Sequence, residues 1–224
     1  CDGSGLLART LWNSSARCTL RAISFVAAPF VAAGAMVVVP NYALCPAATV
    51  DTIALQMAHA LAWVHRNAAR YGGNAARNVV VGHSAGGHLA AMLLACDGRR
   101  LAPGLPERLT RRAVSISGLY DLAPIAATPS LQIDLHLTPD VVARTSPASF
   151  AAPAGAEFCS VVGALESDEF RRHNRLIRER GMLPGLSTHI PETVVYADET
   201  GLDVETYMQP FNQTGYLMQL EVDW

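Results

Sequence analysis

The chain has 224 residues, 50% of them hydrophobic and 16% charged, with a formal net charge of −2 at pH 7. That length fits one domain with a sizeable core, and the composition excludes a disordered chain. The near-neutral charge, without a Lys/Arg block, excludes a surface that tracks nucleic acid; Arg99-Arg100 and Arg111-Arg112 read as solvated loop charges.

The chain starts at Cys1, with no charged-then-apolar leader, and an incomplete N-terminus is expected. The longest apolar run, residues 25–39, is shorter than the ~20 residues a membrane span needs, and Pro29 and Gly34 interrupt it. It predicts a short helix, a turn at Gly34 and a strand over 35–39, apolar throughout as a strand covered on both faces would be. A helix is expected over about 49–71. Thr49 or Asp51 can cap it, Val50, Ile53, Met57, Leu61 and Val64 form its apolar stripe, and Gly72-Gly73 end it.

Residues 78–82 predict a strand that runs into Gly82-His83-Ser84-Ala85-Gly86. Leu89, Met92, Leu93 and Cys96 then recur at helical spacing. Strand, sharp turn and helix with a serine at the apex is the setting of a nucleophile elbow. A Cβ at Gly82 or Gly86 is expected to collide with the neighbouring helix or strand. The amide of Ala85, opening the helix, is expected to face an oxyanion formed at Ser84.

Residues 99–112 read as a loop and 113–117 as another buried strand. The proline-rich segment 119–154 has weak periodicity and reads as a cap or lid over the site. Residues 158–162 predict a strand, and a charged helix follows from about 167 to 180. Residues 183–189 read as a loop, and 193–197 as a final short strand. Alternating strands and helices predict a mostly parallel sheet with helices on both faces, and a site at the carboxyl ends of the strands.

Five cysteines, Cys1, Cys18, Cys45, Cys96 and Cys159, are widely spaced with no Cys-x-x-Cys pair, which fits buried thiols in a reducing, cytoplasmic setting. No metal-ligand spacing appears, and neither metal nor organic cofactor is expected.

The elbow and the order of elements resemble the α/β-hydrolase fold. Three segments resemble one branch of it, the kynurenine formamidase (arylformamidase) and carboxylesterase-like enzymes. They are Phe25-Val26-Ala27-Ala28 leading to Pro40-Asn41-Tyr42-Ala43-Leu44-Cys45-Pro46; Gly82 to Ala90; and Ser117-Gly118-Leu119-Tyr120-Asp121-Leu122 with Ser146-Pro147 and Glu166-Ser167-Asp168-Glu169-Phe170. The resemblance covers about residues 23–180 of a single domain, with 1–22 and 190–224 departing from the pattern.

The resemblance implies a serine hydrolase of small esters or amides, such as an N-formylkynurenine-like aryl formamide, with Ser84 as nucleophile. A serine needs a base, and the base needs a carboxylate to orient it. The fold orders them serine, acid, histidine. Glu166 matches the acid position, with Asp168 as the alternative. Only His173 and His189 follow the acid. His173, in the charged helix, reads as a solvated residue. His189 follows Pro184-Gly185-Leu186, similar to a Pro-Gly-x-Asn-His-Phe loop of such enzymes, but Ser187-Thr188 and Ile190 depart from it, and no strand is legible before it. His83, His88, His59, His65 and His136 read as ordinary helix, loop or cap residues.

These enzymes also carry a His-Gly-Gly segment whose amides complete the oxyanion hole. Residues 1–22 hold Gly3, Gly5 and Trp12 but no such segment. A general short-acyl carboxylesterase and a catalytically impaired hydrolase-fold protein are the alternative readings. The oligomeric state is not legible in the sequence.

Overall fold

A computed structural model describes residues 27–163, 166–180, 182–187 and 206–208. Residues 1–26 and His189 lie outside them, as do 193–197. So do the expected departures at both ends, including the absent His-Gly-Gly segment.

The described elements begin with α1 (Ala27–Ala32) and the turn at Gly34, whose φ of 85° suits glycine. Residues 35–44 then form neither helix nor strand, which corrects the strand expected over 35–39. Apolar residues make a strand only beside a partner, and the described sheet offers none there. Ala35 is exposed, and Met36 packs over Gly73 instead.

Helix α2 (Val50–Asn67) buries Ile53, Ala54, Ala58, Leu61 and Ala62 on one stripe. Thr49 occupies the N-cap position without capping; its hydroxyl donates to Asp51 Oδ1 at 2.5 Å. A short 3₁₀ turn carries the chain on to Gly72, which is left-handed at φ 77° and stops it.

Five parallel strands follow in spatial order β1-β2-β3-β4-β5: β1 (Val80–His83), β2 (Arg112–Ile116), β3 (Glu157–Gly163), β4 (Leu183–Ser187) and β5 (Thr206–Met208). Strand β4 corrects the loop expected over 183–189. Pro184 and Gly185 disguise it, since proline lacks a ladder donor. Pairing with β5 begins only at Gly185, so Pro184 sits where β4 is paired with β3 alone.

Helix α3 (Ala85–Ala95) packs on β1 and β2, and α7 (Asp168–Glu179) on β3 and β4. They share one core of Ala90, Ala91, Leu94, Ala113, Tyr120, Phe158 and Ile177. The expectation of helices on both faces is thus met on one face by the described residues. A second cluster joins Ala58, Leu61 and Ala62 of α2 to Leu93 of α3 and to Leu105 and Leu109. At roughly 1.5–3 kcal/mol for each large apolar side chain removed from water, these clusters hold the helices over the strands.

Between β2 and β3 the segment 119–154 folds into three short helices, α4 (Ala123–Ala126), α5 (Pro129–Leu135) and α6 (Pro139–Thr145). Each has a proline in its first turn, where the missing N–H costs nothing. No described helix is long and apolar enough to cross a membrane.

Candidate active site

Ser84 follows the last residue of β1 and precedes the first residue of α3. Its backbone, φ 54° and ψ −117°, lies in a region L-residues rarely adopt. Such strain persists where the surroundings enforce it. Here the Ser84 N–H donates to the Ile116 carbonyl at 2.8 Å, and the Ser84 carbonyl accepts the His88 N–H at 3.1 Å. That second bond opens the α3 ladder, so the N–H groups of Ala85, Gly86 and Gly87 have no partner within the helix and stand at its positive end.

The elbow closes tightly at Gly82. A Cβ there would lie 2.0 Å from the Gly86 carbonyl oxygen. The same expectation for Gly86 is corrected: nothing among the described residues lies within 4 Å of a Cβ at that position. The crowded helix glycine is Gly87, whose Cβ would meet Ser115 Oγ at 2.4 Å and Gly118 Cα at 2.9 Å. Gly87 faces the sheet as the first fully buried residue of α3, whereas Gly86 lies one position earlier and half-exposed.

Glu166 stands three residues beyond β3, half-buried. Its Oε1 accepts the Ser117 hydroxyl at 2.5 Å and the Gly163 N–H at 2.8 Å. Asp168 begins α7 with its side chain 95% exposed and pairs with Arg171 in the next turn. The two candidate acids thus differ in setting: one is held by two donors at the strand ends, the other is solvated. In register, Gly163 at the end of β3 lies opposite Ser187 at the end of β4. His189 is two positions beyond Ser187, outside the described residues.

His173 is not solvated. It is 1% exposed, and its Nδ1 accepts the Tyr120 N–H at 2.7 Å. That bond leaves the proton on Nε2, which faces Glu169 Oε1 at 3.3 Å. Burial, then the Arg172 charge, push its pKa below the ordinary histidine value, against the opposite pull of Glu169 and Asp121. Both ring nitrogens are engaged in structure. Periodicity hid this: on a charged helix, His173, Asn174 and Ile177 form the one buried stripe. Arg172 adds a tie from α7 to the residues after β2, bonding Glu169 at 2.6 Å and Asp121 at 3.0 Å, which holds its guanidinium firmly charged.

His88 is 4% exposed and hydrogen-bonds through Nε2 to the Thr145 carbonyl at 2.6 Å. It fastens α3 to the end of α6, in the segment read as a cap. Desolvation pushes its pKa down. His59, His83 and His136 are exposed and His65 half-buried.

Burial pushes the Cys45, Cys96 and Cys159 thiols up, so none of the three is an activated thiolate. Among the described residues no group of three or more His, Cys, Asp or Glu could hold a metal ion. A small apolar hollow lined by Ala91, Leu94, Phe158, Ile177 and Met182 begins two turns along α3 and shares no residue with the elbow.

A family model described as the α/β hydrolase fold matches residues 22–157, which include the elbow and stop before Glu166. Kynurenine formamidase of Danio rerio is 31% identical over 157 residues, 67% of this chain and 50% of that protein. Kynurenine formamidase of Salmo salar is 31% identical over 155 residues, again 67% and 50%. The chain spans about half the length of these curated relatives. Among solved structures, a putative thioesterase from Silicibacter sp. TM1040 superposes with a TM-score of 0.54 at 27% identity, covering 67% of this chain and 55% of that one.

Proposed function

The chain belongs to the α/β-hydrolase family, and from that premise we propose that it is a serine hydrolase of carboxylic esters or aryl formamides, N-formylkynurenine-like among the latter. The observation that carries the reading is the Ser84 backbone, strained and stitched to β2 at the carboxyl edge of a parallel sheet. The kinship with kynurenine formamidases supports the choice of acyl group.

Ser84 Oγ attacks the carbonyl carbon while His189 takes its proton. The Ala85 N–H at the α3 terminus stabilises the oxyanion. Collapse expels the alcohol or amine, which takes the proton from His189 and leaves the acyl group on Ser84. Water, deprotonated by the same histidine, then releases the acid.

Glu166 orients the base. Strands β1 and β3 stand two places apart in the sheet, so roughly 10 Å separates the chain at Ser84 from the chain at Glu166. One imidazole can bridge that gap, and the end of β4 is where such an imidazole would enter. The segment 119–154 serves as the cap, fastened to the elbow helix through His88 and Thr145.

Hydrolysis of p-nitrophenyl acetate and N-formylkynurenine by the wild type, Ser84→Ala and His189→Ala tests this. Loss of turnover in both variants is expected. Equal rates for wild type and Ser84→Ala would sink the enzyme reading and favour an inactive member of the fold. An active His189→Ala would remove that residue as base. A strong preference for the acetate over the formamide would make the protein a general carboxylesterase.

A further inference from the structure

Two serines at the carboxyl edge of the sheet have positive φ, Ser84 at 54° and Ser117 at 50°. They are coupled through the strand ends. The Ser84 N–H bonds to the carbonyl of Ile116, the residue before Ser117, and the Ser117 N–H bonds to Val161 of β3 at 2.7 Å. Backbone strain at a non-glycine residue persists where the structure over-determines it, and the nucleophile accounts for only one of these two positions.

The surroundings of Ser117 are closed. It is 7% exposed. A Cβ on the next residue, Gly118, would meet Ser115 Oγ at 2.2 Å and Tyr120 Oη at 2.5 Å. Two residues further, the Tyr120 N–H is held by the buried His173. The one partner of the Ser117 hydroxyl among the described residues is Glu166 Oε1, which also takes the Gly163 N–H. A carboxylate held by a single donor turns freely about its last torsion. Two donors from different strand ends, both on Oε1, hold that oxygen in place and restrict the turn.

We propose that Ser117 is a positioning residue for hydrolysis, its hydroxyl orienting the Glu166 carboxylate toward the base. This rests on the triad proposed above. Ser117 touches no substrate; it acts through Glu166.

The test is a double-mutant cycle on the full 224-residue chain, read as kcat and KM for p-nitrophenyl acetate together with melting temperature. Ser117→Gly removes the hydroxyl and suits a positive φ. It is expected to lower kcat about tenfold to a hundredfold, the range for a hydrogen bond to a charged group, with KM within about twofold and little change in melting. In a Glu166→Ala background the same substitution is expected to change kcat by less than about twofold. Ser117→Ala, taken through the same cycle, serves if glycine loosens the turn.

An unchanged kcat, an effect on KM alone, or an equal loss in both backgrounds overturns the proposal, the last because a merely structural serine acts independently of Glu166. Glu166→Ala or Ser84→Ala at wild-type rate, with Ser117 intact, instead overturns the triad itself.

Discussion

The Gly86 carbonyl oxygen stands 2.0 Å from where a Cβ on Gly82 would be. Both partners are backbone, so the clash cannot be relieved by a rotamer change; strand and helix must part. Gly82→Ala is expected to cost at least about 3 kcal/mol or to prevent folding. At Gly86 the expectation reverses. Alanine has room among the described residues and is the better helix former by about 1 kcal/mol, so Gly86→Ala is expected to match or exceed wild-type stability. Urea denaturation of the two variants checks both; equal damage from the two would refute this geometry.

Tyr120 is 1% exposed, and its hydroxyl bonds to Ser115 Oγ and Ser160 Oγ, each at 2.7 Å, across the register pair that joins β2 to β3. Burial pushes its pKa up to about 12, so it stays a neutral donor at physiological pH. Tyr120→Phe keeps the ring, edge-on to Phe158, and strands two buried serine hydroxyls. The expected loss is about 1–3 kcal/mol, with activity per folded molecule unchanged. A neutral urea midpoint would show the network to be dispensable.

Two buried histidines predict acid sensitivity. His88 and His173 have pKa values held below ~6.5 in the fold, both chiefly by desolvation. Their unfolded forms therefore bind protons first as pH falls. Stability is full above the unfolded value of about 6.5 and is lost progressively as pH falls below it. At His173 the reason is also geometric: a protonated Nδ1 would confront the Tyr120 N–H, donor against donor. The melting temperature is expected to fall across that window, and less steeply in a His88→Gln/His173→Gln variant. Equal slopes in both proteins would contradict this.

Much of this is legible in the sequence, because the telling features are local. A β-branched run ending in Gly-x-Ser-x-Gly, followed by an apolar helix, specifies the elbow from ten residues. The helix over Val50–Asn67 follows from its apolar stripe, and that over Asp168–Glu179 from its charged run after β3.

What could not be read depends on partners distant in sequence. Residues 35–39 have strand composition but no described neighbour. Leu183–Ser187 has poor strand composition, yet β3 and β5 recruit it. Gly86 and Gly87 are indistinguishable as letters; only the approach of β2 singles out Gly87. His173 reads as solvated because its helix is charged, while its partner Tyr120 lies 53 positions away. The Ser117 hydroxyl on Glu166 spans 49 positions and left no local signal.

The central claim is that Ser84 is an activated nucleophile. Incubation of the full chain with a fluorophosphonate, followed by intact-mass measurement and peptide mapping, tests it most directly. The expected result is one phosphonyl adduct per chain, on the Ser84 peptide, absent from Ser84→Ala. No adduct on the wild type, or an adduct that survives in Ser84→Ala, would contradict the claim.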